Sequence, residues 1–201
     1  KVYLCSNNQA KRSDEIISVP TSLNKLKDIV NNIHAAVIGP GLGQNASDII
    51  KFLWQSNKPL VLDADGLGWL SKNFIKKRKA ITILTPHHGE AKKLINEKIV
   101  DRFKTIKNLK NKYGGIWILK GPGTIIFNKK LNINNFSSSI LSTGGTGDIL
   151  SGIIGSLLCQ KVSCPEINGV LIHTLCAKNL LKKQRKTILA SDLIQEISLV
   201  I

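Results

Sequence analysis

Apolar residues along this chain fall into two kinds of run. Short blocks, nearly free of polar residues, occur at Ala35–Ile38, Leu60–Leu62, Ala80–Leu84 and Ile116–Leu119. Blocks of that length predict strands buried on both faces of a sheet. Between them, apolar positions recur at helical spacing. Leu23, Leu26, Ile29, Val30 and Ile33 predict a helix over 22–33. A second helix is expected over 47–54, capped near Asn45 or Ser47. Leu67 with Leu70, and Ala91 with Leu94 and Ile95, mark two more. Phe103, Ile106, Leu109 and Lys110 fall on one stripe of a helix over 103–113. Late in the chain, Ile149, Leu150, Ile153, Ile154, Leu157 and Leu158 predict a helix over 148–160. Helices over 166–182 and 191–200 follow. Val2–Leu4 reads as a brief strand, and Ile125–Phe127 as the hairpin partner of the strand ending at Leu119.

Strands alternating with helices imply βαβ units and a mainly parallel sheet, an α/β fold. No internal repeat or low-complexity linker divides the chain, so residues 1–201 are read as one domain. Right-handed crossovers place the loops that follow parallel strands along one sheet edge. These loops hold Gly39 to Gly43, Asp63 to Gly66, Thr85 to Glu90 and Lys120 to Thr124. Ligands of open α/β sheets bind at that edge, so four polar junctions there predict a site.

The most specific motif is Ser142-Thr143-Gly144-Gly145-Thr146-Gly147-Asp148, running directly into an apolar helix. Its glycines let backbone N–H groups close on a polyanion, and the helix start adds unpaired donors and the positive dipole end. No Gly-Lys-Ser/Thr follows, so it is not a Walker A loop. Asp148 is either a proton acceptor or ligand beside that anion site, or a plain helix cap. Lys120, Gly121, Pro122, Gly123 and Thr124 form either a phosphate-holding turn or an ordinary hairpin. His87, His88 and Glu90 precede a helix. Glu90 is open to two readings, a water-mediated Mg²⁺ contact or a helix cap. Of Asp63 and Asp65, one is expected to face the site. His34 and His173 read as structural.

Composition narrows the field without naming a function. The net charge is +16, but the basic residues are scattered and carry no interleaved aromatics. They are read as solvated faces that attract polyphosphates, not as a nucleic-acid surface. The longest apolar stretch, Ile149 to Cys159, is too short for the roughly 20 residues that span a bilayer. The four cysteines form no CxxC pair. Cys159 and Cys176 read as buried thiols. A cytoplasmic protein without membrane contact is expected.

Taken in order, five segments resemble the ADP- or ATP-dependent NAD(P)H-hydrate dehydratases of the ribokinase-like superfamily. They are Val37 to Gly43, Val61 to Asp65, Leu84 to Glu90, Leu119 to Thr124 and the run through Gly144 and Asp148. The resemblance implies a three-layer α/β/α sandwich and a repair enzyme. In that family a nucleotide phosphorylates the ring hydroxyl of the S epimer of NADH or NADPH hydrate, and loss of phosphate restores NAD(P)H. By analogy Asp148 is the catalytic base and touches the substrate. Gly144, Gly145, Thr146 and Gly147, with Lys120, Gly121, Pro122, Gly123 and Thr124, hold ADP or ATP. Gly43 and His87 contact the hydrated dinucleotide. Mg²⁺ is implied as cofactor, with Glu90 near its water shell. A homo-oligomer and a separate epimerase are the implied partners. His88 stands where the family has Pro, and Ser137-Ser138-Ser139-Ile140 replaces an Asn- and Gly-containing stretch. The family also has a further strand and helix ahead of the point matching Val2. Two other readings share the glycine–Asp motif: a ribokinase-like kinase of a small alcohol or vitamin precursor, and a non-catalytic nucleotide-binding remnant.

Overall fold

The computed structural model describes residues 1–6, 14–43, 46–74, 76–185 and 187–201. Asn45, one of the two expected caps, lies outside them. Strands β1 (Val2–Cys5) and β2 (Ile16–Val19) pair in parallel as a small separate sheet. The main sheet has six strands in sequential order: β3 (Ala36–Ile38), β4 (Leu60–Leu62), β5 (Thr82–Leu84), β6 (Ile116–Leu119), β7 (Thr124–Phe127) and β8 (Leu131–Asn134). The first four are parallel, and β7 and β8 close the sheet as antiparallel hairpins.

Successive strand side chains point to opposite faces, and this chain uses both. Leu60, Leu62, Leu84, Trp117 and Leu119 pack on one face, under α1 (Leu23–Ile29), α2 (Ser47–Gln55), α3 (Ala64–Asn73), α4 (His88–Ile95) and α5 (Arg102–Tyr113). Val61, Ile83, Ile118 and Ile126 face the other way. They meet Leu150, Ile154 and Leu158 of α6 (Thr146–Cys159) and Val170 of α7 (Pro165–Lys182). Helix α8 (Ala190–Ile197) docks on this second layer through Leu193, against Cys176, Ala177 and Leu180. The result is the expected three-layer α/β/α sandwich with a mainly parallel sheet. Each fully buried Leu or Ile of the strands contributes about 1.5–3 kcal/mol.

Some helix starts, those of α1 and α5 among them, are set by side chains. Ser22 Oγ accepts from Lys25 N at 3.3 Å, and Asp101 Oδ1 from Phe103 N at 2.7 Å. The helix expected over 22–33 ends at Ile29 and continues as one 3-10 turn over Val30–Asn32. The helix expected from Asp148 begins two residues earlier, at Thr146. On α5 the buried stripe is Thr105, Ile106, Leu109 and Tyr113, while Phe103 is 43% exposed. The expectation for Cys159 is also corrected. It ends α6 on the solvent side and is exposed, whereas Cys176 is buried as expected.

Candidate functional site

The parallel strands deliver their loops as a staircase. Beyond the strand ends the ladder continues one step at a time. Asp63 N donates to Ile38 O at 3.1 Å, Thr85 N to Leu62 O at 3.2 Å, and Lys120 N to Pro86 O at 2.8 Å. Each polar loop is therefore locked to its neighbour by backbone bonds. Gly39 is essential to the first step. A Cβ there would lie 1.7 Å from Asp63 O, on a backbone at φ +125°.

Lys120 is the hub, not the exposed hairpin lysine of the alternative reading. Its ammonium donates to Asp63 Oδ1 at 2.8 Å and stands 4.0 Å from Glu90 Oε2. Asp63 is fully buried and saturated. It also accepts from Ser151 Oγ at 2.6 Å and caps α3 through Ala64 N at 2.9 Å. Of the two aspartates considered, Asp63 is thus the one turned to the centre. Asp65 Oδ2 instead accepts from Gly43 N at 2.9 Å, fixing that loop.

Asp148 is the opposite case. It is the third residue of α6, whose N-cap Gly145 provides no side-chain bond. Its carboxylate is exposed and has no hydrogen bond among the described residues, so it is not a cap. Partial burial and the negative Asp63 raise its pKa, against the opposing pull of Lys120. Beside it, the first-turn N–H groups of α6 have no intrahelical acceptor. A Cβ on Gly147 would stand 3.2 Å from Lys120 Nζ, so the glycine lets the ammonium approach the helix start.

That helix start is braced from behind. Thr146 Oγ1 donates to Leu141 O at 2.8 Å and Thr143 O at 2.9 Å. His173 Nε2 lies 2.9 Å from Thr146 O. Burial lowers the His173 pKa to about 4, so the ring is neutral at pH 7 and Nε2–H must be the donor. His173 is structural, as expected, but its structural task is to hold the glycine loop. His34 is exposed on a loop and does not take part.

Two cavities flank this hub. One of about 340 Å³ lies among Lys120, Gly121, Thr124, Ser138, Gly147 and His173. A second, of about 700 Å³, is bordered by Gly43, Asp65, Trp69, His87 and Glu90. Lys72 and Lys93 also border it, and neither has a partner among the described residues. His87 and Glu90 form a reciprocal capping box on α4. His87 Nδ1 accepts from Gly89 N at 2.9 Å, and Glu90 Oε2 accepts from His87 N at 2.7 Å. The capping reading of Glu90 therefore holds, and His88 points to solvent. No group of three or more metal-binding side chains occurs among the described residues.

Two residues were not anticipated: Ser151, which bonds Asp63, and Arg102, which bonds the carbonyls of Leu119 and Pro122 outside both cavities. Ser151 sits one turn after Asp148, and its signal was a hydroxyl inside an otherwise apolar helix face. Arg102 carried no signal beyond following a capping Asp.

Known proteins similar to this chain share one family and one fold. The profile of the family described as NAD(P)H-hydrate dehydratase matches residues 5–199. The bifunctional NAD(P)H-hydrate repair enzyme of Coxiella burnetii is 37% identical over 84% of this chain and 36% of its own length. The ADP-dependent (S)-NAD(P)H-hydrate dehydratase of Neisseria meningitidis is 33% identical over 73% of this chain and 53% of its own. The chain thus spans about a third to a half of these curated relatives. The ADP/ATP-dependent NAD(P)H-hydrate dehydratase of Bacillus subtilis, co-crystallized with ATP/Mg²⁺ and soaked with CoA, superposes with a TM-score of 0.78. It is 28% identical and covers 92% of this chain and 73% of its own.

Proposed function

The chain belongs to the NAD(P)H-hydrate dehydratase family, and from that premise we propose that it restores NADH or NADPH from the S epimer of the hydrate, with ADP or ATP as phosphoryl donor. The observation that carries this reading is the contrast at the hub: an unpartnered carboxylate, Asp148, beside a helix start open to anions and a lysine held between two cavities.

In this reading the smaller cavity takes the nucleotide. Lys120 to Thr124 hold its phosphates on one side, and Gly144 to Gly147 on the other. The larger cavity, about twice the volume, takes the dinucleotide hydrate against Gly43 and His87. Lys72 and Lys93 supply positive charge to its phosphates. Asp148 accepts the proton of the ring hydroxyl as that oxygen attacks the terminal phosphorus, and the bond to the rest of the nucleotide breaks. Its raised pKa makes it a better proton acceptor. The charge on the moving phosphoryl group is met by the N–H groups of Gly144 to Gly147 and by Lys120. The new phosphate ester is a good leaving group. Its C–O bond then breaks as a neighbouring carbon gives up a proton, and the ring double bond returns.

Mg²⁺ fits this donor set as an ion carried by the nucleotide. Glu90 Oε2 is used by the cap, and Oε1, with His87 Nε2 3.5 Å away, suits a contact to the ion's water shell. When bound, the ion would neutralise charge on the phosphates. We place the protein in the cytoplasm, as a homo-oligomer, beside an epimerase that converts the R hydrate to the S form. No helix among the described residues is long and apolar enough to cross a membrane.

The test is recovery of NADH absorbance from its hydrate, with Mg²⁺ and either ADP or ATP. Nucleotide-dependent recovery is expected, and Asp148→Asn should lower its rate about 10²–10⁴-fold. A stable phosphorylated product, or no recovery from folded protein, would overturn the dehydratase in favour of a kinase or of a non-catalytic nucleotide binder.

A further inference from the structure

Arg102 is the first residue of α5, directly after its capping Asp101. It reaches across to the turn between β6 and β7. There Nη2 donates to Leu119 O at 3.2 Å and Nη1 to Pro122 O at 2.5 Å. The two carbonyls bracket Lys120 and Gly121. Gly121 lies under the guanidinium: a Cβ built on it would stand 3.5 Å from Nη2, at φ +136°. Arg102 does not line the smaller cavity, whereas Lys120, Gly121, Pro122 and Thr124 do.

A turn of this kind has few bonds of its own. Thr124 Oγ1 donates back to Gly121 O at 3.1 Å, and Gly123 N to Phe136 O at a long 3.4 Å. With two glycines at positive φ, the segment has many alternative conformations available. A planar fork with donors fixed relative to each other selects one of them. A lysine, with one compact ammonium, cannot reproduce that fork.

We infer that Arg102 is the positioning residue of the nucleotide turn, clamping the carbonyls of Leu119 and Pro122 so that Lys120 and Gly121 are set to receive the phosphates. The inference rests on the reading of the smaller cavity as the nucleotide site. Arg102 acts through the backbone of the turn and touches neither substrate.

The experiment compares wild type with Arg102→Ala and Arg102→Lys. ADP and ATP are titrated calorimetrically, and the NADH hydrate reaction is followed at steady state. Backbone misplacement at a phosphate site is expected to weaken nucleotide binding about 10-fold or more in both variants, and to raise nucleotide KM and lower kcat. The hydrate KM should stay within about twofold, because Arg102 lies outside the larger cavity. Millimolar guanidinium should partly restore nucleotide binding to Arg102→Ala but not to Arg102→Lys. Amide exchange over 119–124 should quicken in both variants without ligand. Unchanged nucleotide binding would overturn the inference. So would parallel loss of nucleotide and hydrate affinity with a lowered melting point, which marks a general folding role. If Arg102→Ala does not fold, Arg102→Lys carries the same comparison. Wild type that binds nucleotide without converting hydrate would sink the dehydratase reading alone, since the binding ratio between wild type and variants still decides the role of Arg102.

Discussion

Two aspartates stand at the starts of two helices on opposite faces of the same sheet, and they are built in opposite ways. Asp63, at the head of α3, is fully buried and meets a lysine, a hydroxyl and a backbone N–H. Asp148, in the first turn of α6, meets no donor among the described residues. A buried carboxylate with three donors on it has little freedom to change partner, because its acceptor positions are already in use. An unsaturated carboxylate against an anion site sits in a conflict that only a ligand or a proton resolves. The pair shows how one residue type is divided between organising a site and acting in it.

Substitutions at the two positions should therefore separate activity from stability. Asp148→Asn is expected to remove nearly all activity yet melt no lower than wild type, since its charge is disfavoured where it stands. A melting point well below wild type would mean that Asp148 also holds the loop. Asp63→Asn should cost about 3 kcal/mol of unfolding free energy in urea, because it removes the close counter-ion of the mostly buried Lys120 and leaves only Glu90, 4.0 Å away. Equal stability would make the ion pair dispensable and break the comparison.

The bracing of α6 gives a pH test of similar size. His173 has a folded pKa of about 4, below its ordinary 6.5. Between those values the unfolded chain takes up a proton that the folded chain refuses, so stability falls as pH drops from about 6.5 toward 4. The linkage amounts to roughly 3 kcal/mol across that window. In His173→Gln, whose amide can still donate to Thr146 O, this part of the slope should vanish from urea melts at pH 7, 5.5 and 4. A slope equal to that of wild type would assign the acid sensitivity elsewhere. The smallest effect belongs to Ser151→Ala. Removing one of the three donors to Asp63 should lower stability by about 1–2 kcal/mol and leave nucleotide binding nearly unchanged. A large loss of binding would give Ser151 a direct role.

The main parallel strands were readable because strands buried on both faces are continuous apolar blocks. Leu60–Leu62 and Ile116–Leu119 match their predicted limits. Strand β8 was not readable. Leu-Asn-Ile-Asn is a polar edge whose pairing depends on β7 beside it, and no local pattern encodes that neighbour. Strand β2 was also missed: it is four residues long and pairs only with β1, outside the main sheet. At the site, the positions of the glycine loops were legible because the backbone there, as at Gly39 and Gly145, takes positive φ that favours glycine. The roles of Asp63 and Lys120 were only half legible, since an ion pair across 57 residues leaves no spacing rule. Cys159 was misread because an apolar helix end need not face inward. Arg102 was silent because its partners are carbonyls, which every residue has.

The bonds that converge on Asp63 also bear on when the site comes into being. They join positions 57 and 88 residues apart, so no early portion of the growing chain contains them. Contacts of such long range form late, after the loops between them have been closed at an entropic cost. During synthesis the chain must emerge past Ser151 before the pocket exists at all. A nucleotide that bound only the finished arrangement, as proposed, would then draw the whole population toward it by mass action. Nucleotide present in the surroundings would act as a selective trap for completed molecules, and half-made ones would pass unnoticed by it.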